Sequence, residues 1–216
     1  MSRKARNVQD LQRRSPKRDP YERILIVCEG SKTEPNYFRE VIDALKLNTA
    51  NVEVDGDSDP SPKSVVRHAK KRYREDTEFD RIYCVIDKDE HSTYQEATAE
   101  IQAAKPIGVF HIIPSVPCFE YWLLLHFIYT TRPYARSENR SPGDHVFHEL
   151  KQHLPDYEKG SKMIYRKIMP QTDRAISHAK RANAAANKAH TDNPSTQVYV
   201  LVEYLRGLKE PKKRST

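Results

Sequence analysis

A mostly parallel α/β sheet flanked by helices, with a helical C-terminal part, is the fold class that this 216-residue sequence predicts. Three observations predict it. Short, dense apolar runs recur, as in Ile24-Leu25-Ile26-Val27, where consecutive rather than alternating apolar residues mark a strand covered on both faces. Segments with apolar residues at helical spacing separate those runs. From Arg132 onward the strand signal stops and the periodic stretches that remain are helical.

The first strand ends at Glu29-Gly30, and a loop of Gly30, Ser31 and Lys32 leads to a helix beginning between Thr33 and Pro35. Tyr37, Phe38, Val41, Ile42 and Leu45 share one face of that helix. Residues 51–54 read as a second strand, followed by an Asp/Ser/Pro-rich loop. Ser61-Pro62 then supplies an N-cap with proline at the first helical position, opening a helix that reaches about Asp76. A third strand over 79–86 ends in Asp87-Lys88-Asp89-Glu90, and a helix from about Thr93 to Ala104 precedes a fourth strand over 109–113. Pro114-Ser115-Val116-Pro117 turns into an aromatic-rich helix near Phe119. Beyond it, 144–153 and 172–190 read as helices, and Val198, Leu201, Val202, Leu205 and Leu208 form an apolar face after the start signal Asn193-Pro194-Ser195. The expected organisation is a basic tail over 1–20, an α/β core over 21–135, a helical region packing on it over 136–210, and a second basic tail over 211–216.

Charged residues make up 31% of the chain and the mean hydropathy is -0.84, yet the recurrent apolar runs exclude a wholly disordered polymer. The longest apolar run falls well short of the roughly 20 residues a bilayer span requires, and no apolar stretch resembles a signal peptide. A soluble cytoplasmic protein is expected. Cys28, Cys84 and Cys118 are odd in number and widely spaced, which signals neither a disulfide framework nor a CxxC zinc site; each reads as a small buried hydrophobe. The net charge of +7 and pI near 9.2 point to a polyanionic partner, RNA or DNA, because cations on phosphates gain affinity by releasing counterions. Part of that excess lies in the tails, in Arg3, Lys4, Arg6, Arg13, Arg14, Lys17 and Arg18, and in Lys212, Lys213 and Arg214.

In an open parallel sheet, function gathers in the loops leaving the carboxyl ends of the strands. Glu29 leaves the first strand there, and Asp87 and Asp89 leave the third. An i, i+2 pair in extended backbone points both side chains the same way, so adjacency of those strands would bring three carboxylates together. Two unit charges about 4 Å apart repel by roughly 4 kcal/mol at an effective dielectric of about 20. A divalent cation removes the conflict, and hard oxygen donors suit Mg²⁺ or Mn²⁺, which can polarise a phosphoryl oxygen and orient a water. Lys32 and Lys88 flank the cluster as candidate phosphate contacts, and Glu34 is a candidate base or second ligand. Acidic residues at strand ends are also common solvated loop residues; the pairing of Glu-Gly at one strand end with Asp-x-Asp at another is what raises the signal.

These residues carry a resemblance. A strand followed by Glu29-Gly30 and a helix, with Asp87-Lys88-Asp89 at a later strand end, resembles the Toprim fold shared by topoisomerases, primases and OLD-family nucleases. More closely, the chain resembles the RloB-like family in three ordered segments: Ile26-Val27-Cys28-Glu29-Gly30-Ser31-Lys32-Thr33-Glu34-Pro35-Asn36-Tyr37-Phe38, then Val85-Ile86-Asp87-Lys88-Asp89, then Ser115-Val116-Pro117-Cys118-Phe119-Glu120-Tyr121-Trp122-Leu123-Leu124. The likeness extends to Asn193-Pro194-Ser195-Thr196 and the helix after it. The resemblance implies a Toprim-like core, with Glu29 as the Toprim glutamate and Asp87 and Asp89 as the metal-binding pair. It also implies a role at restriction or abortive-infection loci beside an ATPase partner. No topoisomerase tyrosine domain or primase zinc motif accompanies these segments, which favours hydrolysis over strand transfer or priming.

Further residues carry two readings each. Glu120, in the first turn after the fourth strand, is a candidate catalytic carboxylate or a helix N-terminal charge. Phe119, Tyr121 and Trp122 are core residues or base-stacking platforms. Lys63, Arg67, Lys70, Lys71 and Arg74 form a basic stripe that would follow a phosphate backbone or simply face solvent; Arg174, Lys180, Arg181 and Lys188 make a less regular one. His91, next to the acidic cluster, is a candidate proton shuttle and substrate contact. His145, His148 and His153 lack a cysteine or carboxylate at zinc-site spacing. The expected function is therefore a Mg²⁺- or Mn²⁺-dependent nuclease acting on RNA such as tRNA, or on DNA, in antiphage defence. The alternatives are a non-catalytic nucleic-acid-binding or ATPase-regulating module and, more remotely, a glycosyltransferase using Asp-x-Asp for a metal nucleotide.

Overall fold

The computed structural model describes residues 22–88 and 93–208. Asp89, His91 and both basic tails lie outside the described residues. A five-stranded sheet is ordered β2-β1-β3-β4-β5, from β1 (Ile24–Glu29), β2 (Val52–Ser58), β3 (Arg81–Asp87), β4 (Phe110–Val116) and β5 (Ser195–Thr196). The first four strands are parallel and β5 is antiparallel to β4. The helices are α1 (Thr33–Leu45), α2 (Pro62–Glu75), α3 (Tyr94–Gln102), α4 (Glu120–Leu124), α5 (Pro142–His153), α6 (Ile164–Ile168), α7 (Thr172–Lys188) and α8 (Val198–Gly207). Among the described residues no helix is long and apolar enough to cross a membrane.

The continuous apolar run of β1 does what its composition predicts. Successive strand side chains point to opposite faces, so Ile24, Ile26 and Cys28 enter one core while Leu25 and Val27 enter the other. All five are fully buried. The first core packs against α1 and the helices from α4 onward; the second packs under α2 and α3. Phe119, Tyr121 and Trp122 are all core residues in the first, with Trp122 Nε1 donating to Tyr37 Oη at 2.8 Å. The three cysteines are buried and free.

Several details differ from the sequence reading. Strand β2 continues to Ser58, through what composition marks as loop, because its polar residues are satisfied in place. Asp55 is paired with His68 at 2.8 Å and with Arg72, and Ser58 Oγ donates to the Cys28 carbonyl at 2.7 Å. Strand β4 runs through Pro114 to Val116; the Pro114 carbonyl faces the β5 side, where the Gln197 N–H donates to it at 2.8 Å, so the missing proline N–H falls on the outer edge. Residues 195–196, expected to start a helix, form β5 against the end of β4. Helix α6 has no counterpart in the sequence reading, and the aromatic helix α4 is only five residues long.

Candidate metal centre

Strands β1 and β3 are neighbours, with Cys28 opposite Val85, so Glu29 and Asp87 reach the same carboxyl edge of the sheet. Their ends touch: the Asp87 N–H donates to Glu29 Oε2 at 3.3 Å. Gly30, at φ +74°, makes the sharp turn that lets α1 start at once, a conformation that favours glycine. Gly56 of β2 passes so close that a Cβ there would lie 2.6 Å from Pro35 Cγ and 2.9 Å from the Gly30 carbonyl oxygen. That fit brings the first turn of α1, with Glu34, against the strand ends. Glu120 enters from the first turn of α4.

Glu29, Glu34, Asp87 and Glu120 line one cavity of about 360 Å³, together with Lys32 and Lys159. Glu34 and Glu120 are buried, and Asp87 Oδ1 is sealed from solvent with no hydrogen-bond partner. Burial pushes the Asp87 carboxyl well above the usual carboxylate range, and the charges of Glu34, Glu120 and Glu29 push the same way. Glu34 is pushed up to about 8, by burial first and then by Glu120 and Glu29. These are the signs of acid groups crowded into little space, with the Lys159 ammonium offsetting only part of their charge.

The donor chemistry fits a hard divalent cation: every acidic group at the cavity offers carboxylate oxygen, and one of those oxygens is buried and unpartnered. Among the described residues, no three His, Cys, Asp or Glu side chains already close on a single metal position. Asp89, the third expected ligand, belongs to the segment outside them.

Other sequence candidates fall in different places. Lys32 is exposed at the N-cap position of α1, on the cavity wall. Lys88 is drawn sideways into an ion pair with Asp192 at 2.6 Å, with its ammonium 5.8 Å from the Tyr94 ring centre. The α2 stripe is split: Lys63 and Lys70 pair with Glu96 and Glu100 of α3 at 2.9 and 2.7 Å, and Lys71 lies 3.8 Å from Glu75. Arg67 and Arg74 face solvent. The three histidines near α5 have separate surroundings, with Ser137 Oγ 3.0 Å from His145, the Asp144 carbonyl 2.7 Å from His148, and the Phe127 ring stacked on His153.

Sequence reasoning missed a wall of the cavity. The loop between α5 and α6 inserts Tyr157 and Lys159 beside Glu120, and the N-terminus of α5 contributes Ser141, Gly143 and Asp144. Tyr157 Oη donates to Glu120 Oε1 at 3.0 Å. The Glu120 charge raises the Lys159 ammonium above its ordinary range, and Asp87 and Glu34 add to it. The one local signal was Gly160, a glycine in a polar turn.

The family model described as RloB-like protein matches residues 24–205. The chain belongs to the RloB-like family. No curated protein matches it. The match opens on the first residue of β1 and closes inside α8, so this RloB-like chain is covered from its first strand to its last helix. Glu29, Glu34, Asp87 and Glu120 fall within it, as do Tyr157 and Lys159.

Proposed function

We propose that this RloB-like protein is a divalent-metal-dependent nuclease of the Toprim type, hydrolysing phosphodiester bonds in RNA such as tRNA, or in DNA, as an effector of antiphage defence. The observation that carries the reading is the gathering of Glu29, Glu34, Asp87 and Glu120 in one cavity at adjacent strand ends, with Asp87 Oδ1 buried and unpartnered. Glu29, Asp87 and Asp89 would hold Mg²⁺ or Mn²⁺, with Glu34 and Glu120 beside them; bound there, the ion supplies Lewis-acid polarisation of a phosphoryl oxygen and a more acidic water. Lys159 and Lys32 offer cations to the charge of the phosphate group. Glu34 would accept a proton from the attacking water, and Glu120 would offer the ion a further carboxylate oxygen. The net charge of +7 supports a polyanionic substrate, and the family resemblance supports an ATPase partner.

A cleavage assay across tRNA, single-stranded and duplex substrates, with Mg²⁺ or Mn²⁺, tests the reading. Wild type should cleave at least one of them, and Asp87→Ala should lose about a hundredfold or more while keeping its circular dichroism spectrum, since the substitution removes a proposed ligand. Equal activity in the variant contradicts the assignment. Binding that depends on salt but not on EDTA, without cleavage, would instead favour the non-catalytic module.

A further inference from the structure

We propose that Tyr157, in the loop between α5 and α6, is a positioning residue that orients Glu120 toward the metal side of the cavity; this rests on the metal-dependent reading above. Surface loops ordinarily leave their main chain to water, but this one is fastened to the first turns of α1. The Gly160 N–H donates to Thr33 Oγ1 at 2.9 Å, and Asn36 Nδ2 donates to the Gly160 carbonyl at 3.0 Å. Further on, the main-chain N–H groups of Met163 and Tyr165 donate to the Glu40 carboxylate, the second at 2.9 Å. Gly160, at φ +84°, has no room for a side chain, since a Cβ would lie 2.9 Å from Lys32 Cβ. The loop and the Glu34-bearing turn of α1 are thereby held together.

Tyr157 uses that anchorage. Its ring is 1% exposed and packs near Phe147, with the centroids 5.8 Å apart. Its hydroxyl donates to Glu120 Oε1 at 3.0 Å. A carboxylate oxygen only accepts, so the phenol O–H is the donor in this pair. Glu120 sits on a helix of five residues that lacks a side-chain cap, so the helix alone holds it weakly. The Tyr157 hydroxyl on Oε1, with the Cys118 thiol also bonded to this carboxylate, helps set its orientation and leaves it acceptor capacity for a cation. The helical C-terminal half would therefore complete the metal site in addition to packing on the sheet.

The test is Mn²⁺ binding by calorimetry to the full chain, read independently of cleavage. Tyr157→Phe keeps the ring and removes only the hydroxyl; it should weaken Mn²⁺ binding about tenfold, the scale expected for the partner of a metal-ligating carboxylate. Glu120→Gln alone should weaken it at least as much. On the Glu120→Gln background, adding Tyr157→Phe should change the affinity by less than about twofold, because the residue acts through Glu120. Unchanged affinity in Tyr157→Phe, or the same loss on both backgrounds, overturns the positioning role alone. A wild-type protein that binds no Mn²⁺ overturns the metal reading as well.

Discussion

A buried carboxylate oxygen without a partner destabilises a fold unless the group takes up a proton or a cation. Asp87 Oδ1 is such an atom, and Glu34 beside it is held up to about 8 by burial and by its acidic neighbours. A second unpartnered atom, far simpler in its surroundings, is Nε2 of His126. His126 is fully buried, and its Nδ1 donates to the Trp122 carbonyl at 3.0 Å, which fixes the proton on Nδ1. Burial lowers this histidine to about 4. The folded value lies below the unfolded value of about 6.5, so between the two the unfolded chain binds a proton that the folded chain refuses. Stability from this group therefore falls as pH drops through that window. Going from about pH 7 to about pH 5, His126 should remove roughly 2 kcal/mol of unfolding free energy. Urea titrations at the two pH values check this: His126→Leu should lose less than wild type by about that amount, and equal losses would reject the assignment.

At the scale of elements, the strand ends were legible because they depend on strong local signals. Consecutive apolar residues marked β1 and β3, and Glu29-Gly30 and Asp87 followed them directly. The end of β2 was not, because Asp55-Gly56-Asp57-Ser58 has the composition of a turn and becomes strand through Arg72, His68 and the tight approach to Gly30. The cavity wall carrying Tyr157 was not legible either: its place depends on hydrogen bonds with Thr33 and Asn36, more than a hundred residues away. The stripe on α2 was legible as helical spacing, but the spacing does not reveal that Lys63 and Lys70 face α3. That difference gives a prediction for nucleic-acid binding. Replacing Arg67 and Arg74 by alanine should reduce the slope of log affinity against log salt by about one for each phosphate that is no longer neutralised. The Lys63, Lys70 double alanine variant should change that slope by less. An equal change in both variants would show that the α3 ion pairs do not withhold those lysines.

Across the whole molecule, the sheet carries two cores. The α2 and α3 side is modest, while the other takes in α1 and the helices from α4 to α8, with Val146, Ile168, Ala179 and Val202 among its buried residues. Residues from both sequence halves thus share one core and line one cavity. The proposed metal site predicts that a divalent ion relieves the repulsion among these acid groups and so stabilises the fold. Thermal unfolding of wild type and Asp87→Asn, each with and without Mn²⁺, tests that most directly. With Mn²⁺ at about a hundred times its dissociation constant, wild type should gain roughly 3 kcal/mol, or about 5–10 °C in midpoint. Asp87→Asn should start at least as stable without metal, since a repelling charge is gone, and gain almost nothing when Mn²⁺ is added. A wild-type midpoint indifferent to Mn²⁺, or an Asp87→Asn midpoint that rises equally, would rule out a divalent ion held at Asp87.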